Sequence, residues 1–214
     1  MMMDKLIKSA KLGTALGLLS IVSGCGPLIS FGDDGPADDV YTLEHPGTAS
    51  ANINTAATMY VSQPVMRSGL DGTEVVVALD NNKRTVLKGV RWAGHLSDLL
   101  QDYLVHSLRS ETEANIVSDK GLDVRVNCRM DAKIWRMEFA PSADGTNDLV
   151  HLELELSLIR LQDAHLVGHP IYTRTANVVG GSHDDIVGAL NSALNDISRE
   201  YGAWVASNLE ACTS

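Results

Sequence analysis

Aromatic side chains make up only 5% of this 214-residue sequence, with two Phe and three Trp. A base-stacking surface for single-stranded nucleic acid would have few rings to use. Basic charge is scarce as well: 17 Lys+Arg stand against 27 Asp+Glu, a formal net charge of −10. Wholesale binding to nucleic acid or to an anionic bilayer needs clustered cations, so both are excluded as primary functions. The apolar run near the N-terminus, residues 12–22, falls short of the ~20 residues of a membrane-spanning helix. There is no GxSxG, no P-loop and no GxGxxG, so the motifs that announce a hydrolase elbow or a nucleotide cradle are missing. Cysteine is limited to three residues: Cys25, Cys128 and Cys212. What remains is 44% hydrophobic and 21% charged, the balance of a globular chain with room for a real core.

The first twenty-five residues carry a destination. Lys5, Lys8 and Lys11 against Asp4 make a basic start, followed by the apolar residues 12–22. A basic region and a short apolar region are the pattern of a secretory signal. The run closes on Val22-Ser23-Gly24-Cys25, which resembles the bacterial lipobox, cut before a Cys that becomes lipid-modified. Loss of residues 1–24 would leave 14 basic and 26 acidic residues, a net charge of −12. Each buried methylene contributes about 0.8 kcal/mol, so several acyl chains on Cys25 would anchor the chain almost permanently. Position 26 is Gly rather than the Asp that commonly retains lipoproteins in the inner membrane. The expected location is the periplasmic face of the outer membrane.

Residues 25–40 read as a lipidated N-terminus and flexible acidic tether containing Asp33, Asp34, Asp38 and Asp39, with a reach of roughly 20 Å. Residues 41–214 are expected to form a single domain. Short strands are predicted at residues 41–43, 59–61 and 74–80, with a turn at 81–83 and an unpatterned loop at 44–58. A helical stripe begins near Trp92 and runs through Leu96, Leu99, Leu100, Tyr103, Leu104 and Leu108. From Val124 to Ile134 apolar residues alternate with polar ones; the phase then flips to Trp135, Met137 and Phe139. A flip inside one strand predicts a bulge near residues 134–135. Val150 to Leu158 alternates again, and a further strand is expected near residues 170–178. Ser182 or Asp184 can cap a last helix whose stripe runs from Ile186 to Leu209. Strands polar on one side leave the other face for the helices. The fold expected is α+β: a mostly antiparallel, mixed sheet with two amphipathic helices packed on one face.

Candidate chemistry is sparse. His165 and His169 have helical metal-ligand spacing but precede Pro170 at a turn, so with His151 nearby they read as solvated loop histidines, and no metal or cofactor is expected. Glu153 and Glu155, about 7 Å apart on one strand face, read as the polar half of an alternating strand rather than an acid/base pair. Gly180-Gly181-Ser182-His183 precedes a helix and can cradle an anion, against the plainer reading of a capped strand-to-helix turn. Cys128 lies on the apolar side of its strand and Cys212 just past the last helix. In an oxidising compartment a disulfide and two separate thiols both remain open. Trp92, at the start of a helical stripe, reads as a core anchor, with an interface contact as the alternative.

The order of these features resembles the ABC-type transport auxiliary lipoprotein family. The likeness rests on the lipobox Cys25, the Tyr41-x-Leu43 strand, a strand ending in Val61 before Pro64, and a Val-rich strand. Arg91-Trp92-Ala93 then leads into a Leu-rich helix, and long strands and an amphipathic C-terminal helix follow. The resemblance implies a non-enzymatic lipoprotein subunit of a transport system built on an MCE-domain (mammalian cell entry) protein with its ABC permease and ATPase. Such a system moves phospholipid or another apolar molecule between inner and outer membrane. It implies Arg91 and Trp92 as a family motif or partner contact, attachment to the membrane through the N-terminal lipid, and a homo-oligomer as an option. Two other readings stand beside it. One is an envelope-assembly or secretion lipoprotein that binds protein without lipid traffic; the other is a periplasmic hydrolase that would depend on His165, His169 or His183.

Overall fold

The computed structural model describes residues 37–48, 57–118 and 124–214. Cys25, the signal peptide and most of the tether lie outside the described residues, as does most of the loop at 44–58. In chain order the elements are β1 (Asp39–Tyr41), β2 (Thr58–Val61), β3 (Val65–Met66), β4 (Glu74–Ala78), β5 (Arg84–Trp92) and α1 (Leu96–Glu111). They continue with β6 (Asn115–Val117), β7 (Cys128–Ala140), β8 (Leu149–Arg160), β9 (His165–Gly168), β10 (Ile171–Asn177), α2 (His183–Asn208) and a single turn, α3 (Glu210–Thr213).

β7 and β8 are the spine. Their alternating sequences pair antiparallel from Cys128↔Arg160 to Ala140↔Leu149, with a register shift between Ile134 and Arg136. That shift falls where the alternation changes phase: the extra residue lets Met130, Ala132, Ile134, Met137 and Phe139 all reach the core. Three short strands line the other edge of β7 in succession, all parallel to it: β2 at Met59↔Cys128, β3 at Val65↔Lys133 and β4 at Val77↔Phe139. β5 is antiparallel to β4, β1 is parallel to β5 and β6 is parallel to β2. β10 and β9 both pair antiparallel with β8. The result is a mixed ten-stranded sheet in which the long ladders are antiparallel and the short ones parallel, an α+β architecture.

α1 and α2 pack against one face. Their buried stripes include Leu96, Leu100, Leu104 and Leu108 from α1, and Ile186, Leu190, Leu194, Ile197 and Tyr201 from α2. Across the seam, Tyr201 Oη hydrogen-bonds Ser107 Oγ, and Tyr103 Oη donates to Asn195 Oδ1. These buried hydroxyls are satisfied without water, which fixes how the helices slide on each other. α2 begins with a capping box: Ser182 accepts from the Asp185 backbone N–H, and the Asp185 carboxylate accepts from the Ser182 N–H. Removing the cap with Ser182→Ala is expected to lower the unfolding free energy by about 1 kcal/mol, while Ser182→Gly costs less. Urea denaturation of the three proteins checks this.

Several expectations need correction. The helical stripe at Trp92 belongs to a strand: β5 runs to Trp92 and α1 starts only at Leu96. Trp92 sits at a position that fits both periods, because it faces the same core as Leu96. The first strand lies at Asp39–Tyr41, two residues earlier than expected, so residues 39 and 40 leave the tether. His165 opens β9 instead of a turn. The turn at residues 80–83 holds Asn81 and Asn82 at φ 59° and 61°, the left-handed pair that closes a two-residue hairpin. Among the described residues, no helix is long and apolar enough to cross a membrane.

Candidate docking surface

The face of the sheet opposite the helices is built by the polar half of each alternating strand. Register places Val65, Lys133, Glu155 and Ile171 in one row across β3, β7, β8 and β10. Val65 and Ile171, 60% and 57% exposed, end the row with apolar surface. In its middle lies Trp135, the residue at the β7 bulge. Its indole Nε1 donates to Glu155 Oε2 at 2.6 Å, and Lys133 Nζ lies 3.5 Å from its ring centroid. Trp135 was expected in the core with Met137 and Phe139; the bulge instead turns it out and leaves it half-buried. A cation over one ring face and an acceptor at the edge hold the indole in a single orientation.

Glu155 also faces His169, whose Nε2 is 3.1 Å from Oε1, and His169 Nδ1 lies 2.7 Å from Ser157 Oγ. This Ser–His–Glu chain has the connectivity of an acyl-transfer triad. It lies on the open face of the sheet, however, where strand N–H groups run in the plane toward neighbouring strands. The arrangement orders the surface.

Two rows further along, past Arg136 and Glu153, Glu138 is 1% exposed although it is on the polar face. Arg84 Nε donates to one carboxylate oxygen at 3.0 Å and Arg136 Nε to the other at 2.8 Å. Burial pushes this carboxyl up, but the Arg136 and Arg84 hydrogen bonds outweigh it and its pKa falls below the usual value. The folded pKa lies below the unfolded one, so the stabilisation is fully present above the unfolded pKa. It is lost as pH falls through the folded value. Glu138→Gln is expected to cost about 1–2 kcal/mol at neutral pH, since both arginines can turn to water, and to flatten the acid limb of stability. Denaturation midpoints between pH 3 and pH 7 test it. With Glu153 opposite Arg136 in register, two guanidinium groups meet two carboxylates and the cluster is close to neutral. The helices, in contrast, carry Asp98, Asp102, Glu111, Asp184, Asp185, Asp196 and Glu200 against Arg109 and Arg199. Among the described residues the sheet face is therefore less acidic than the helix layer.

The other sequence candidates disperse. Cys128 and Cys212 form a disulfide, with Cα atoms 5.4 Å apart. Trp92 is 1% exposed, so it is a core residue out of a partner's reach; Arg91 is exposed, opposite Glu74 of β4. His165 and His169 lie on and just past an extended strand, and His151 Nδ1 meets Thr175 Oγ1 at 3.0 Å. Among the described residues no group of three or more His, Cys, Asp or Glu can hold a metal ion. The glycine turn cradles its own acid: at Gly180, φ +109°, an added Cβ would lie 2.2 Å from Asp185 Oδ2. With Asp39 and Asp184 lining the adjacent hollow, an anion is unwelcome there. Leucines of α1, α2 and β8, with Ile134, Met137 and the flanks of Arg136 and Glu153, line an apolar cavity with about 10 Å³ of free space. That is room for about one water, not for an acyl chain.

A family model described as the ABC-type transport auxiliary lipoprotein component matches residues 41–201. The chain belongs to that family. No curated protein matches the auxiliary lipoprotein in sequence. Among solved structures, protein XCC0632 from Xanthomonas campestris superposes with a TM-score of 0.67 at 18% identity, covering 81% of this chain and 98% of that one. The hypothetical protein CT253 from Chlamydia trachomatis gives 0.52 at 9% identity, covering 73% and 99%. At such identities the likeness establishes a shared fold for the auxiliary lipoprotein and nothing about its cargo.

Proposed function

We propose that this auxiliary lipoprotein is the docking subunit of an MCE-type ABC transport system that moves phospholipid or other apolar molecules between the inner and outer membrane. In this reading Cys25 carries the lipid that holds it to the outer membrane, facing the periplasm. The open sheet face receives the MCE-domain protein, behind which stand the permease and ATPase, and several copies surround the partner. The observation that carries the reading is the oriented Trp135, with Lys133 on its face, Glu155 at its edge and exposed Val65 and Ile171 on either side. A fixed aromatic with a neighbouring cation and an apolar rim is how interface hot spots are built. The small internal cavity favours holding a partner over carrying cargo.

Crosslinking in intact envelopes, followed by affinity purification and mass spectrometry, tests it. Recovery of an MCE-domain protein with its permease supports the reading. Enrichment of other envelope proteins without an MCE protein would replace it with an envelope-assembly role. Cys25→Ala should leave any signal-processed chain out of the membrane fraction; retention of the processed form there would contradict the lipid anchor.

A further inference from the structure

Away from the sheet face, residues 42–48 connect β1 toward β2 and cross the helix layer. His45 is the centre of this crossing, its side chain only 3% exposed. Nδ1 accepts the Gly47 N–H at 3.1 Å and lies 3.3 Å from Ser110 Oγ. Nε2 is 3.7 Å from Glu111 Oε1. The ring meets Tyr103 edge-on, centroids 5.6 Å apart, and His106 at 5.9 Å. The backbone is moulded to this imidazole: a Cβ on Gly47 would lie 2.7 Å from His45 Cε1 and 2.8 Å from Ser110 Oγ. Only glycine lets the segment approach α1 so closely. Because the Gly47 N–H needs an acceptor, the fitting tautomer is neutral, with its proton on Nε2 toward Glu111.

We propose that residues 43–48 are an acid-released latch, held on the helix layer by neutral His45 and freed when His45 takes a second proton. A proton on Nδ1 confronts the Gly47 N–H with another donor and ends that hydrogen bond. It also puts a charge into a site almost closed to water. Four titratable or charged groups face it. From α1, Glu111 favours the cation at a distance too long for a hydrogen bond, His106 opposes it and the Tyr103 phenol is neutral. From α2, Arg199 opposes it. Burial, the largest influence, lowers the His45 pKa, and Glu111 only partly offsets it. With the folded value below the unfolded one, the latch has its full strength above the unfolded histidine pKa of about 6.5. It weakens as pH falls below that. Leu43, buried in the core, shares the segment, so release exposes apolar surface beside β1.

Hydrogen exchange of residues 42–48 in the mature chain at pH 7.5 and 5.0, corrected for the intrinsic rates, tests the latch. Side-chain NMR titration of His45 accompanies it. Protection should fall on acidification, by no more than about 30-fold at pH 5.0 for one histidine with a released pKa of about 6.5; His45 should titrate below 6.5, and His45→Gln should abolish the pH dependence. Glu111→Gln removes the charge that favours the cation in the closed state, so the closed-state His45 pKa falls further and acidification should cost the latch more protection than in the wild type. Equal protection at both pH values, a His45 pKa at or above 6.5, or an unchanged pH dependence in His45→Gln would overturn the proposal. If His45→Gln lowers protection at every pH, Glu111→Gln decides: a larger acid-induced loss than in the wild type supports the latch, and an equal or smaller one overturns it.

Discussion

Cys128→Ala with Cys212→Ala, or reduction of the wild-type bond, is expected to lower the unfolding free energy by about 4 kcal/mol. The bond closes a loop with a sequence separation of 84, and restricting an unfolded chain over that length contributes about 4–5 kcal/mol in the chain-entropy account. It ties the start of β7, the central strand, to α3 after the last helix, so an unbonded chain can fray from its C-terminus. Both sulfurs are buried, and alanine leaves no unsatisfied hydroxyl behind. For a domain of this size the loss corresponds to roughly 10–15 °C in Tm. Thermal unfolding with and without reductant measures it. A change below about 1 kcal/mol would show that the bond restrains nothing in the unfolded ensemble.

Trp135→Ala should remove most partner capture while leaving the fold intact. The indole is half-buried on a face that the core does not use, so its removal is expected to cost no more than about 1.5 kcal/mol of stability. Truncating a central Trp of an interface costs 2 kcal/mol or more of binding, a weakening of at least about 30-fold. Val65→Asp, at the rim of the same row, should act in the same direction through desolvation. Crosslinked recovery of the partner, normalised to the amount of lipoprotein, reads both variants. Capture unchanged in both would move the docking site elsewhere on the molecule.

The strands that build this face were legible in the sequence because β7 and β8 alternate for a dozen residues, and the phase flip at residues 134–135 marked the bulge. The direction of Trp135 was not legible. At a bulge two residues oppose one, and periodicity cannot say which of the pair turns outward. β3 and β6, of two and three residues, are too short to show any period and exist because β7 and β2 offer them an edge. Trp92 misled because the spacing to Leu96, Leu99 and Leu100 matches a helix, while the break at residues 93–95 carries no proline. His45 left little local signal, since apart from Gly47 its partners lie far along the chain, Ser110 being 65 positions away. Glu138 looked like one more polar residue of an alternating strand until Arg84, on β5, closed over it.

The most direct test of the account is site-specific photo-crosslinking in cells, with the photoreactive residue placed at Val65 or Ile171 on the sheet face and at Ser192 or Ala203 on exposed positions of α2. The account predicts adducts with an MCE-domain protein from the sheet positions and none from α2. Adducts from α2 alone, or from neither surface under conditions where the transporter is expressed, would contradict it.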